Sequence, residues 1–490
     1  MQGGKNLTEI NIEDQKIIEN KALNIKKALI PVVFLMILLA YNISYEDGEW
    51  LGNYSNQFIL LIGALIAAIV GLFNKVPLKR MINEVVENWK SVFTPIIILF
   101  LVGALAGTWL VSGIIPAMVY YGLQVLSPAI FLPASVVIAA IISIATGSSW
   151  TTSATVGIAL VGIGSALGIS SGMIAGAVIS GSYFGDKMSP LSDTTNLAPA
   201  MAGTNLFTHI KYMTYTTVPT IIITLIVFTI LSGTIETSGN TDISHLLSSI
   251  NSSFNITPWL FLVPLAVITM ILMKSKPLLA LGAGILMAAI FAVLFQSNVL
   301  ADISESTTKS IITAIFTDVQ ITTDNQKLTE LFSAGGMKGM LWTIFLIVCA
   351  MVFGGIMDAI GALSKITEAL LSIAKNTFGL FASTVISCLG LNVIASDQYL
   401  ALVIPGKMFK NAFENRNLAP ENLSRTLEDS GTVSSVLIPW NTCGAYQSEV
   451  LGVGVAEYAL FAIFNWLSPF MTLFFAAFRI KIRQLAEKVS

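Results

Sequence analysis

Gly181-Ser182-Tyr183-Phe184-Gly185-Asp186-Lys187-Met188-Ser189-Pro190-Leu191-Ser192-Asp193-Thr194-Thr195-Asn196 is the stretch on which the reading of this chain turns. Two carboxylates, a lysine and several hydroxyls surround a proline, while the residues leading up to them, 169–181, are all apolar or small. An ionisable side chain within a membrane segment costs several kcal/mol unless it is paired or hydrated, so such a cluster in apolar surroundings implies a function. The rest of the chain supplies the membrane. Of its 490 residues 54% are hydrophobic and 11% charged, against roughly 25% charged in an ordinary soluble domain, and the mean hydropathy is +0.79. Apolar runs such as 96–111 exceed what one compact core needs, which excludes a soluble globule and leaves an all-α polytopic membrane protein.

The same arithmetic removes other classes. A net charge of -2 provides no basic surface, so no nucleic-acid partner is expected. Cys349, Cys388 and Cys443 are odd in number and show no paired spacing, which argues against a disulfide scaffold or a zinc site. His209 and His245 read as members of separate loops without a carboxylate at metal-ligand spacing. No cofactor is expected beyond a transported ion, and no enzyme, because a His-Glu-x-x-His helix and a Ser/His pairing are both missing. Gly162-Ile163-Gly164 follows no strand and reads as helix packing. The first apolar run ends in Tyr45-Glu46-Asp47 with no small-residue cleavage site, so it reads as a retained span.

A span needs about 20 apolar residues. Full spans are expected at 28–44, 57–73, 92–112, 213–231, 257–273, 278–296, 340–360 and 456–478. Two other regions, 128–206 and 378–452, are apolar but broken by Gly, Ser, Thr, Asn and Pro, and such backbone is tolerated at membrane depth only where protein or a water cavity satisfies it. Lys and Arg fall at 75–90, 274–276, 407–425 and 479–488 and are missing from 45–56 and 232–256, a pattern with both termini cytoplasmic. The alternation closes if each broken region holds one re-entrant hairpin and one interrupted helix. The expected fold is therefore about ten transmembrane helices in two inverted repeats, the arrangement of a secondary transporter whose site lies where broken elements meet. Its parts are a cytoplasmic segment 1–27, a first repeat 28–232, an extracytoplasmic linker 233–256, a second repeat 257–478 with a polar loop 297–336, and a cytoplasmic tail 479–490. An offset of 245 residues lays 147–152 against 392–397 and 189–196 against 434–441.

Within the broken regions the residue types suit a hard cation, which prefers carboxylate, hydroxyl, amide and carbonyl oxygens. Asp193, Thr194, Thr195, Asn196, Ser189 and Ser192 offer these around the break at Pro190, with Asp186 and Lys187 as a supporting pair. Ser148, Ser149, Thr151 and Thr152 flank Gly147 at the tip of the first hairpin, and Asn392, Ser396 and Asp397 form the tip of the second. Asn441 and Thr442 follow a second proline break, and Asp429 reads either as part of the site or as a helix cap near Arg425. Asp193, Asp397 and Asn196 are the expected sodium ligands. A carboxylate that takes either a proton or a cation is the simplest basis for antiport. The plainer reading of the same residues is close helix packing by small side chains, or a loop at the membrane surface.

The run from Gly181 to Gly203, the Thr146 to Gly157 hairpin and the segments 392–406 and 428–444 resemble the NhaC family of sodium/proton antiporters, over nearly the whole chain from residue 28 on. The resemblance implies a bacterial inner-membrane transporter that exchanges sodium for protons. The family also contains malate/lactate antiporters, so small carboxylates stand as the alternative substrate, bound at hairpin tips and half-helix N-termini. Besides sodium ions, protons and the lipid bilayer, the partner expected is at most a second copy of the chain in a homodimer.

Overall fold

The computed structural model describes residues 20, 23–44, 50–125, 127–234, 243–273 and 275–485. Most of the expected segment 1–27 and the end of the tail, 486–490, lie outside the described residues. Helix dominates. The first half runs through α1 (Ile25–Ser44), α2 (Ser55–Phe73), α3 (Leu78–Val111), α4 (Ile114–Val125), α5 (Pro128–Thr146), α6 (Ser149–Thr152), a π-helical turn Ser153–Gly157, α7 (Ile158–Ala166), α8 (Ser171–Met188), α9 (Asp193–Ala202) and α10 (Leu206–Thr234). The second follows with α11 (Ile243–Ser253), α12 (Leu262–Leu272), α13 (Pro277–Phe295), α14 (Ser297–Ile303), α15 (Thr307–Phe316), α16 (Gln326–Leu331), α17 (Gly336–Gly339), α18 (Leu341–Ala359), α19 (Ala362–Ser372), α20 (Thr377–Ile394) and α21 (Gln398–Glu414). It closes with α22 (Pro420–Leu427), a second π-helical turn Glu428–Thr432, α23 (Thr442–Leu451), α24 (Val455–Tyr458) and α25 (Ile463–Ala477).

Among the described residues, eight helices are long and apolar enough to cross a membrane, and 244–253 with 258–271, bent by 83°, makes a ninth when taken as one span. The chain is a multi-pass membrane protein. Three sequence expectations need correction. The span at 92–112 is the end of a 34-residue α3, about 51 Å long at 1.5 Å per residue, whose earlier turns carry the charged residues of 79–90. The run 456–478 is broken between α24 and α25, a turn that continuous hydropathy hides. His209 and His245 sit on α10 and α11, not in loops. The segment 297–336 is also more ordered than a loop: α15 and α17 press on α3 where Gly103 and Gly107 leave room for the carbonyls of Gly336 and Ala314, and β1 (Val319–Gln320) pairs with β2 (Ser333–Ala334).

Packing of the first half centres on α8. A Cβ on Gly181 would strike the Val136 carbonyl of α5, and one on Gly185 would lie 2.5 Å from the Ala140 carbonyl. On its other side, Gly172 and Gly176 admit the backbone at Glu457 and Phe461. Small residues four apart let helices approach closely in lipid, where no hydrophobic force drives them together. Gly164 lies against Phe131 and Ile174, so α7 returns to where α5 began, and α8 fills the space beside the hairpin.

The two halves stop their helices at equivalent places. Ser148 and Asp397 cap the N-termini of α6 and α21, Ser192 and Asn441 cap those of α9 and α23, and left-handed Gly203 and Gly452 end α9 and α23. Each pair is separated by 249 residues. The expected 245 is thus four residues short, because alignment by residue type has almost no identity to hold it, whereas caps and left-handed glycines mark true chain stops. Each hairpin tip also rests on the break of its own half: Gly147 abuts Leu191, and Ser396 accepts from the Thr442 amide at 3.0 Å.

Candidate functional site

Four helix starts meet at the centre, and their caps explain why the chain breaks there. The Ser148 hydroxyl accepts from the Thr151 amide at 3.2 Å, Ser192 from Thr195 at 3.3 Å, and Asn441 from Cys443 at 3.0 Å. Asp397 accepts from the amides of Tyr399 and Leu400 at 2.9 and 3.0 Å. The halves then cross. Trp150 of the first tip stacks on Tyr446 of α23 with centroids 4.0 Å apart, and Tyr399 beside the second tip donates its hydroxyl to Asp193 on α9. Asp193 and Asp397 are therefore neighbours of one tyrosine, the first through its hydroxyl and the second through its backbone.

Behind them lies a buried layer. Asp186 accepts from the Ser149 amide at 3.1 Å and the Ser149 hydroxyl at 2.7 Å, so the first tip is tied to the end of α8. Lys187 turns away from Asp186 and forms an ion pair with Asp429 of the other half, both side chains at 0% exposure. This corrects the expected Asp186–Lys187 pair: neighbours on a helix diverge by about 100°, and the lysine finds its acid across the interface. Thr472 donates to the second oxygen of Asp429. The surface and cap readings of Asp429 are removed with it. Glu428, which is not among the site residues expected from the sequence, is also fully buried and accepts from Thr194 at 3.1 Å.

Other expected site residues hold the breaks together. Ser189 donates to the Ile144 carbonyl at 2.8 Å, Thr195 to the Lys187 carbonyl at 3.1 Å, and Thr152 to the Ser148 carbonyl at 2.9 Å. The Thr151 hydroxyl lies 3.2 Å from that of Ser148. Asn196 donates to the Pro190 and Ser192 carbonyls, at 3.0 and 2.6 Å. In the second half Asn392 donates to Gly431 at 2.6 Å, Asn441 donates to Asn392 at 3.0 Å, Thr442 bonds Asn441 at 3.5 Å, and Ser396 holds a left-handed φ of 60°. Asp358 and Glu449 stay apart from this centre, Glu449 accepting from Thr343 at 2.5 Å.

Exposure is one-sided. Pro190, Leu191, Asp193, Asn196, Ala200 and Gly203 are exposed, a row along α9 that leads from the centre toward Lys410, whereas Tyr446 on the opposite side is at 0%. A second polar layer joins α10, α22 and the end of the chain. Arg425 is buried with its guanidinium 4.6 Å from the Tyr212 ring, His209 bonds Ser424 at 2.8 Å, and Asn422 donates to the Arg483 carbonyl at 2.7 Å. No run of residue types announces this layer, since its members come from three distant segments.

Residues 181–480 match the model of the Na+/H+ antiporter family. The chain is 38% identical over 432 residues to the Na(+)/H(+) antiporter NhaC of Alkalihalophilus pseudofirmus, covering 88% of this chain and 92% of that protein. It is 35% identical to the Na(+)/H(+) antiporter NhaC of Bacillus subtilis, over 84% of this chain and 90% of the relative. A Malate-2H(+)/Na(+)-lactate antiporter of Bacillus subtilis is 33% identical over 92% of each.

Proposed function

Because this chain belongs to the Na+/H+ antiporter family, we propose that it exchanges sodium ions for protons across a bacterial inner membrane by alternating access. The observation that carries the reading is the meeting of Asp186, Asp193, Asp397 and Glu428 where both interrupted helices and both hairpin tips end. Carboxylates so placed bind either a proton or a hard cation, and mutual exclusion of the two at one centre couples opposite fluxes. Asp193, Asp397 and Asn196 are the proposed sodium ligands, with Asp193 the first met from the exposed face of α9. That face leads to the side rich in Lys407, Lys410 and Arg416, which supports a cytoplasmic position for it and for both termini.

Organic-acid exchange is the second reading, favoured by the N-termini of α9, α21 and α23 converging on the same centre, where helix dipoles attract a carboxylate. Proteoliposomes with a trapped pH indicator decide between them. An imposed sodium gradient should change internal pH, with the sign reversing when the gradient is reversed and with malate and lactate both left out. Proton flux that ignores sodium and requires a carboxylate overturns the sodium/proton reading.

A further inference from the structure

Glu449 is an acid that the proposed sodium centre leaves unused. It lies in the last turn of α23, where the helix dipole disfavours negative charge, and α23 carries no other charged residue. Its carboxylate accepts from the Thr343 hydroxyl at 2.5 Å. Thr343 belongs to the first turn of α18, and the neighbouring Trp342 donates its indole N–H at 2.8 Å to the carbonyl of Asn53, in the stretch 45–56 that lacks Lys and Arg. An indole so placed marks the membrane boundary on the extracytoplasmic side, so Glu449 stands half-buried at the outer water's edge. The helices α3, α7, α18 and α24 and the first π-helical turn pack against α23. Among the described residues they turn no other charge toward it: 91–111, 149–166 and 341–357 hold none, and Glu457 of α24 is folded back onto the Gly454 amide at 3.2 Å. The remaining titratable side chains on these faces are Cys349 on α18, Cys443 and Tyr446 on α23, and Tyr458 on α24, whose hydroxyl donates to the Val436 carbonyl at 2.8 Å.

From Glu449 a stripe leads inward. Spacings of three and four put Glu449, Tyr446 and Thr442 on one face of α23, over about 10 Å at 1.5 Å per residue. At its inner end the Thr442 amide donates to the Ser396 carbonyl at 3.0 Å, and Ser396 precedes Asp397, one of the proposed sodium ligands. The Ser396 hydroxyl is fully buried and has no hydrogen-bond partner among the described residues. Buried hydroxyls are almost always satisfied, so this one marks a spot that takes in water on the way to Asp397. Midway, Tyr446 closes the stripe: it is fully buried, stacked on Trp150, and donates its hydroxyl to the Trp150 carbonyl at 3.1 Å. The matching place on α9 holds Ala200, so the acid belongs to one half alone.

We propose that Glu449 is the outer proton acceptor of the exchange cycle. This rests on the sodium/proton reading and deepens it: the Glu449 carboxylate takes a proton from extracytoplasmic water. Once the face of α23 opens, it passes that proton to the Asp397 carboxylate that sodium has left and returns to the anion. Intramembrane acids in series form such relays. Oriented proteoliposomes holding the full-length protein, with the pH of the two sides set separately, test this. Glu449→Gln keeps an oxygen for the Thr343 hydroxyl but cannot titrate, so thermal melting and calorimetric sodium binding in detergent should stay at wild type. Its turnover at alkaline outer pH should fall at least about a hundredfold, the lower end of what one positioned proton-transfer group contributes. The dependence on outer pH should flatten while that on inner pH persists. Glu449→Asp should restore the outer profile, and Thr343→Val, which removes the tether and leaves the acid, should keep it. An unchanged outer-pH profile in Glu449→Gln overturns the assignment. Equal loss of turnover in Glu449→Gln and Thr343→Val also overturns it, since the contact is then a tether alone. A wild type whose proton flux ignores sodium overturns the antiport reading itself, so the wild type alone tells the two failures apart.

Discussion

Removal of Lys187 tests the buried layer most directly. Lys187→Met keeps the aliphatic stem against Phe464, whose ring centroid lies 5.6 Å from the ammonium, but leaves Asp429 with the Thr472 hydroxyl as its only hydrogen-bond partner among the described residues. Breaking a buried ion pair from one side costs about 3–5 kcal/mol, because the other charge stays desolvated. Asp429→Leu should lose a similar amount by stranding the lysine. The double variant replaces both charges with apolar groups, and its remaining penalty is the unpaired Thr472 hydroxyl, about 1 kcal/mol. It should therefore lie within about 2 kcal/mol of the wild type, a coupling energy of at least about 4 kcal/mol. Denaturant unfolding in detergent, followed by tryptophan fluorescence, measures all four. A loss below about 1 kcal/mol for Lys187→Met, the size expected of an exposed pair, refutes the buried bridge, as does a double variant as weak as the sum of the singles.

Gly181→Val drives a side chain into the Val136 carbonyl of α5, a backbone atom that no rotamer change moves aside, and should cost at least about 1–3 kcal/mol. Gly233→Ala on α10, with nothing within 4 Å, should leave detergent melting unchanged or slightly raised; equal melting of the two variants contradicts the close packing of α8. Tyr399→Phe removes the hydroxyl that competes with sodium for Asp193, and the sodium KM of exchange in proteoliposomes should fall at least about tenfold, since a hydrogen bond to a charged group contributes about 1.5–3 kcal/mol. An unchanged KM argues against Asp193 as the first ligand.

Much of the architecture is legible in the residue types, for reasons that are local. Gly147, Pro190 and Pro439 interrupt apolar runs, Ser, Asp and Asn cap the helices that restart, and apolar length counts the spans. What is hidden is long-range. Lys187 lies 242 positions from its acid, and nothing near either residue points to the other. Tyr399 reads as one more aromatic at a helix start, and Glu428 as a neighbour of Asp429, until burial separates their roles. The register of the repeats read from residue types falls four residues short because residue identity between the halves is low, and the stops that align are capping devices rather than a shared motif.

The single offset of 249 residues also bears on time. Asp193, Asn196, Ala200 and Gly203 face outward along α9, and the equivalent places on α23 hold Thr442, Ala445, Glu449 and Gly452, of which Thr442 and Ala445 are 3% and 4% exposed. Trp150 and Tyr446, stacked over α23, correspond in the same way to Tyr399 and Leu197 beside α9, where the tyrosine is bonded to Asp193 instead. Chemically the two faces differ, yet their backbones stop and start alike. On the proposed alternating-access reading, the molecule carries the plan of its opposite pose within itself: exchanging what each half does would close one door and open the other, and a transport cycle would become a single architecture seen alternately from its two ends.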